Sequence, residues 1–178
     1  VSHERIDSMN VGDLGVLVVR VALGVVFIAH GYNHVFGGGR IRGTARWFET
    51  LGMRPGILHA WTASLTELAA GVLLCLGLGT PLACAGIVGT MLVAWATNHR
   101  RNGFFIFRPG EGYEYVMTLT LVGVGVACIG AGRYSLDHAL GWFTPPGWLG
   151  VGVVAVLGVG GAAALLGLCW RPRTDQPG

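Results

Sequence analysis

The chemistry-bearing residues of this sequence are few and stand in apolar surroundings. The stretch FIAHGYNHVFGG, Phe27 to Gly38, sets His30 and His34 one helical turn apart just before a glycine cluster. Residues four apart share a helix face, so both imidazoles can turn toward one space. Arg20 interrupts the apolar run LGVLVVRVALGVV, and His59, Glu67, His99 and Glu114 follow downstream. Histidine exchanges protons near neutral pH, a carboxylate accepts them, and arginine holds a fixed positive charge. Such groups suit proton transfer, hydrogen bonding to a polar ring, metal or haem ligation, or simple ion pairing.

The elements that position them are membrane helices. The chain has 178 residues, 52% hydrophobic and 12% charged, where a soluble domain carries about a quarter charged residues. Five segments approach the roughly 20 apolar residues that a bilayer core requires: Leu14 to Val35, Leu58 to Leu78, Thr80 to Asn98, Tyr113 to Gly130 and Trp148 to Trp170. Small residues recur at four-residue spacing in Ala85/Gly89, Gly123/Ala127 and Gly158/Ala162, which lets helix backbones approach closely in lipid. Gly79 and Pro81 join the second and third segments into an antiparallel hairpin. The fold class is therefore all-α, a polytopic transmembrane helical bundle.

All 12 basic residues are arginine, and all but Arg20 fall between the apolar runs rather than on a soluble face, which argues against nucleic-acid binding. Arg40, Arg42, Arg46, Arg54, Arg100, Arg101, Arg108, Arg171 and Arg173 gather on one side, against Arg5 and Arg133 on the other. By the positive-inside rule the carboxyl terminus faces the cytoplasm and the amino terminus lies outside. The stretch VSHERIDSMNVGD lacks the features of a cleaved secretory signal, so the first span is expected to be retained. Ile41 to Leu51 alternates apolar and charged faces like a helix lying in the interface. GFFIFRPGEGYEY reads as an aromatic belt at headgroup depth, with a binding box as the alternative. Ser135 is expected to cap a short turn running through Asp137 and His138.

Since successive spans reverse direction, His30, His34, His59, His99 and Glu114 are expected at one membrane level. Arg20 and Glu67 lie deeper, about 9 Å and about 16 Å from the outer end. An unpaired charge at that depth costs several kcal/mol, so these two are expected to form an ion pair. It would either fix helix register or mark a proton or substrate path. The candidate polar site is thus Arg20, His30, His34, Glu67, His99 and Glu114. Cys75, Cys84, Cys128 and Cys169 form no CxxC pair and read as small apolar packing residues, a Cys75–Cys84 disulfide being the weaker alternative.

Histidines on facing helices meet one condition for haem, but no HExxH or paired EExxH motif appears, so neither haem nor a resident metal gains specific support. A quinone makes fewer demands, since its carbonyls need donors and its reduction needs protons. No dinucleotide fingerprint is present, so electrons would come from another subunit.

The order of RVALGVVFIAHGYNHVFGG, WFETLGMRPG, ELAAGVLLCLGLGTPLA and GYEYVMTLTLVGVGVACIGAGRYSLD, spanning Leu14 to Asp137, resembles the DoxX family of small bacterial membrane proteins. The resemblance implies a four-helix membrane core and singles out Arg20, His30, Gly31, Glu67 and Gly71. It also implies association with thiosulfate:quinone oxidoreductase or terminal-oxidase systems. The expected organisation is a polar segment over 1–13, the four-helix core over 14–137 with interfacial segments near 40–54 and 103–112, and a fifth transmembrane helix with its loop and tail over 138–178. The fifth helix departs from the four-helix pattern and is expected to dock a larger assembly.

The leading expectation is a bacterial plasma-membrane subunit of a respiratory or quinone-linked oxidoreductase assembly, contacting lipid and partner subunits. Any catalysis belongs to that complex rather than to this chain alone. The alternatives are a structural accessory subunit and a small-solute or proton pathway gated by Arg20 and Glu67.

Overall fold

The computed structural model describes residues 11–142 and 147–172. The amino-terminal stretch through Asn10, with Arg5, the Pro145/Pro146 break and Arg173 lie outside the described residues. The helices are α1 (Val11–Phe36), α2 (Arg40–Thr50), α3 (Gly56–Leu76), α4 (Thr80–His99), α5 (Glu114–Ile129), α6 (Leu136–Leu140) and α7 (Trp148–Cys169). Among the described residues, α1, α3, α4 and α7 are long and apolar enough to cross a membrane. The expected fourth span is shorter: α5 has 16 residues, or about 24 Å.

Antiparallel packing of α1 on α3 forms the first half of the bundle. The buried residues of α3 include Ala60, Ser64, Glu67, Gly71 and Leu74, and those of α1 include Arg20, Gly24, Phe27 and Gly31. Each set recurs at three- or four-residue intervals and so marks one helix face. The backbones nearly touch at the glycines: a Cβ on Gly24 would stand 2.7 Å from the Gly71 carbonyl oxygen, and one on Gly31 would stand 2.9 Å from that of Ser64. This is the close approach that small residues permit in lipid.

α3 turns into α4 through the left-handed residues Gly77 (φ 64°) and Gly79 (φ 57°). The amides of Gly77 and Leu78 donate to the carbonyls of Leu74 and Leu73, at 3.1 and 2.9 Å, closing the helix end. Pro81 then sits in the first turn of α4, where its missing N–H costs nothing.

α4 is the central post, packed by α3, α5 and α7, with Cys84, Ile87 and Val88 almost wholly buried. The small-residue pairs lie at its crossings. A Cβ on Gly158 of α7 would meet the Ala85 carbonyl oxygen at 2.9 Å, and one on Gly89 would meet that of Gly158 at 3.2 Å. The last long helix is therefore integrated into the bundle. Its end is also tied back to the α2–α3 link, where the Arg171 amide donates to Gly52 O at 2.9 Å and the Trp170 indole to Leu51 O at 2.9 Å.

α2 forms where the amphipathic pattern placed it. Ala45 is buried, Arg42 and Arg46 are exposed, and the Thr44 hydroxyl donates to His34 O at 2.8 Å, holding α2 against the end of α1. The aromatic segment between α4 and α5 is a folded loop, with the Tyr113 amide donating to Gly103 O at 3.0 Å and the Gly112 amide to Phe105 O at 3.1 Å.

Candidate functional site

At the arginine-rich end of the bundle, His34 Nδ1 lies 3.1 Å from Glu67 Oε2. Both atoms are buried and neither has another partner. The Cα–Cβ bond of a helical residue tilts toward the helix amino terminus. His34 on α1 therefore leans toward the hairpin end, while Glu67 on antiparallel α3 leans toward the arginine-rich end, and the two side chains converge.

The same tilt separates Arg20 from Glu67, correcting the expected ion pair. Arg20 leans toward the hairpin end and is fully buried there. Its guanidinium donates to Leu74 O at 2.7 Å and to Tyr134 O at 2.6 Å, within Coulombic reach of Asp137. The buried Asp137 carboxylate accepts from the amides of Gly79 and Thr80, at 2.7 and 2.9 Å, at the amino terminus of α4 where negative charge is favoured. Ser135 caps the turn as expected, accepting from the His138 amide at 3.1 Å. Arg20 therefore belongs to a lock joining α1, the α3–α4 hairpin and the loop after α5, apart from the His34–Glu67 pair.

A cavity of about 710 Å³ surrounds the pair. His30, His34, His59, Glu67 and His99 all line it, so four of the six proposed site residues share one space. Glu114 is not in its lining, although Glu111 and Tyr115 are. Glu114 begins α5 and its carbonyl accepts from the Thr118 hydroxyl at 2.8 Å. The Tyr115 hydroxyl and His30 Nε2 share a hydrogen bond of 3.2 Å, with ring centroids 5.9 Å apart. Tyr115, read from sequence as part of an interfacial belt, thus belongs to the cavity wall.

The other histidines are held by backbone carbonyls. A carbonyl only accepts, so His99 carries its proton on Nδ1, donating to Glu111 O at 2.9 Å, and His59 donates from Nε2 to Arg54 O at 3.3 Å. His99 closes a π-helical turn over Trp95–His99 at the end of α4. This widened winding rotates a side chain off the regular helical register. Its partner Glu111 has φ 61°, a left-handed conformation uncommon for a residue with a side chain. No sequence signal marks either feature.

The four cysteines are free, so no disulfide joins Cys75 to Cys84. Among the described residues, no group of three or more His, Cys, Asp or Glu side chains is placed to hold a metal ion.

The fold and its polar cavity define a multi-pass helical membrane protein whose deepest charged groups, Arg20 and Glu67, are buried inside the bundle. Residues 15–100 match the DoxX family profile, which assigns that part of the chain to the DoxX family. The match covers α1 to α4 and ends at Arg100; α5 and α7 lie beyond it. No curated protein and no solved structure matches the chain.

Proposed function

We propose that this chain is the membrane subunit of a bacterial respiratory or quinone-linked oxidoreductase assembly, and that its cavity receives the ring of a quinone. One observation carries the reading: a buried carboxylate, Glu67, stands 3.1 Å from the imidazole of His34 inside a largely apolar cavity. A charged group at membrane depth is costly and faces the interior of a bundle where it serves a pathway or a ligand.

The donor set fits a neutral ring bearing carbonyl acceptors. His34 and His30 on α1 and Tyr115 on α5 can offer N–H and O–H groups to the cavity, and the apolar lining holds the ring by contact. A bound quinone supplies a site that takes up electrons and protons. Glu67 and His34 hold the protons: the carboxylate stores one behind the imidazole, which passes it into the cavity. The electrons come from a partner subunit.

Arginine on the α1–α3 and α4–α5 links and at the carboxyl end supports an orientation with this mouth of the cavity at the cytoplasmic face and the amino terminus outside. The domain organisation proposed is a DoxX-like core over 14–137 followed by the helix that completes the cavity wall.

The test is Glu67→Gln and His34→Ala in membranes, with assembly and quinone-linked electron flow measured separately. Lost flow with intact assembly supports the reading. Unchanged flow with lost assembly establishes the structural-accessory alternative, which the buried Arg20–Asp137 lock favours as the role of the opposite end.

A further inference from the structure

The cavity has a shape that a quinone ring alone does not account for. Its α4 floor is one continuous face: Leu82, Ala85/Gly86, Gly89/Thr90, Val93/Ala94 and Thr97/Asn98 line it at three- and four-residue intervals. From Leu82 to Thr97 this is about 22 Å of helix. One side is α3, through Thr62, Ala63, Thr66 and Glu67; the other is α7, through Leu157, Gly161 and Leu165. α3 and α7 both pack on α4 and leave the cleft between them.

The cleft is open along its side. Leu82 and Leu157 are 49% and 55% exposed on its rim, and a Cβ on Gly161 would meet nothing within 4 Å. In a bilayer these residues face acyl chains. Polarity divides across the cleft: Glu67, His34, His30, His59 and His99 stand on α1, α3 and the end of α4, while the α7 side, through Leu157, Gly161 and Leu165, carries no charged group. Glu67 is 3% exposed, with its Oε2 offered to no well-directed donor. A buried polar head site continuing into an apolar side channel matches a ligand with a polar ring and a hydrocarbon chain.

We infer that α7, which lies outside the family-matched region, forms with α3 a lateral slot for the chain of a long-tailed quinone, loaded sideways from the bilayer with its ring at His34–Glu67. This rests on the quinone reading above and adds to it the tail, the access route and the role of the last long helix. The slot contributes less by hydrophobic burial, since lipid is equally apolar, than by selection, because a ring seated at Glu67 must have somewhere to lay its chain.

The experiment compares Gly161→Phe with the wild-type chain in lipid nanodiscs, using a tail-less dimethoxy-methyl-benzoquinone and its decyl derivative. Gly152→Phe is the control, since Gly152 is on the same helix, has open space around its Cβ and is not in the cavity lining. The expected result is that Gly161→Phe weakens the decyl compound about tenfold or more and leaves the tail-less ring unchanged, while Gly152→Phe changes neither. Equal affinity of the decyl compound for wild type and Gly161→Phe overturns the slot and leaves the ring site standing. Equal loss of both compounds in Gly161→Phe also overturns it, since the side chain would then block the ring. If neither compound binds the wild type, the slot falls together with the reading it rests on.

Discussion

Arg20 and Glu67 are the two deepest charges of the first pair of helices, yet they point away from each other: Arg20 bonds the carbonyls of Leu74 and Tyr134, and Glu67 meets His34 at 3.1 Å. The cause is the opposed direction of α1 and α3, which tips one side chain toward the hairpin end and the other toward the arginine-rich end. The protein thus has a structural charge lock at one end and an ionisable pair in a cavity at the other. Their mutants are expected to behave differently.

Glu67→Gln keeps the shape of the side chain but removes its charge and its proton store. Quinone-linked electron flow is expected to fall about 10²-fold, the scale of a positioned acid or base, with the assembled complex present in normal amount. Flow in membrane vesicles, normalised to subunit content by immunoblot, checks this.

Arg20→Met removes two hydrogen bonds to carbonyls and leaves Asp137 buried without its nearby cation. Each buried hydrogen bond from a charged donor is worth about 1.5–3 kcal/mol, so the thermal midpoint in detergent should fall well below wild type. Quinone binding by the protein still folded should be unchanged, because Arg20 is not part of the cavity lining. Lost binding with unchanged stability would contradict the separation of the two ends.

Gly71→Val tests the α1–α3 crossing. Its new Cβ would lie 2.6 Å from the Gly24 carbonyl oxygen and 2.9 Å from the Ile28 amide, backbone atoms that cannot swing aside. The expected loss is about 1–3 kcal/mol or more from overpacking, read as a lower melting temperature. Gly125→Ala on α5, where a Cβ meets nothing within 4 Å, should leave the midpoint in place.

Trp170→Phe retains an aromatic side chain and loses the indole bond to Leu51 O. A single hydrogen bond is worth about 1 kcal/mol, so global stability should change little. The bonds from the Arg171 amide to Gly52 O and from the Arg54 amide to Cys169 O should open more often. Faster amide exchange at Arg54 and Arg171, with α3 unaffected, is the expected reading.

The helices were legible because lipid imposes a simple rule: every spanning segment must be apolar over its length and satisfy its backbone internally. That rule places α1, α3, α4 and α7 within a few residues of their observed ends, and the amphipathic alternation of Ile41 to Leu51 places α2. The convergence of His30, His34 and His99 followed from counting along alternating helices. Glu114 stands at that level too, at the start of α5, but is not in the cavity lining, because level alone does not say which way a side chain turns about its helix axis. At the start of α5 it is Tyr115, one residue later, that reaches the cavity.

What the sequence determined by itself is composition-driven: the apolar helices and their ends to within a turn, the small-residue positions on α4 and α7 where backbones approach, and the level at which ionisable groups gather. What only the tertiary structure decided is partnership. His34 rather than Arg20 faces Glu67, Asp137 lies within reach of Arg20, a π turn positions His99, and α7 completes the wall of the cavity. Depth follows from residue counting along one helix, whereas partnership depends on helix rotation, on the tilt of each Cα–Cβ bond and on which helices touch, and those are properties of several segments packed at once.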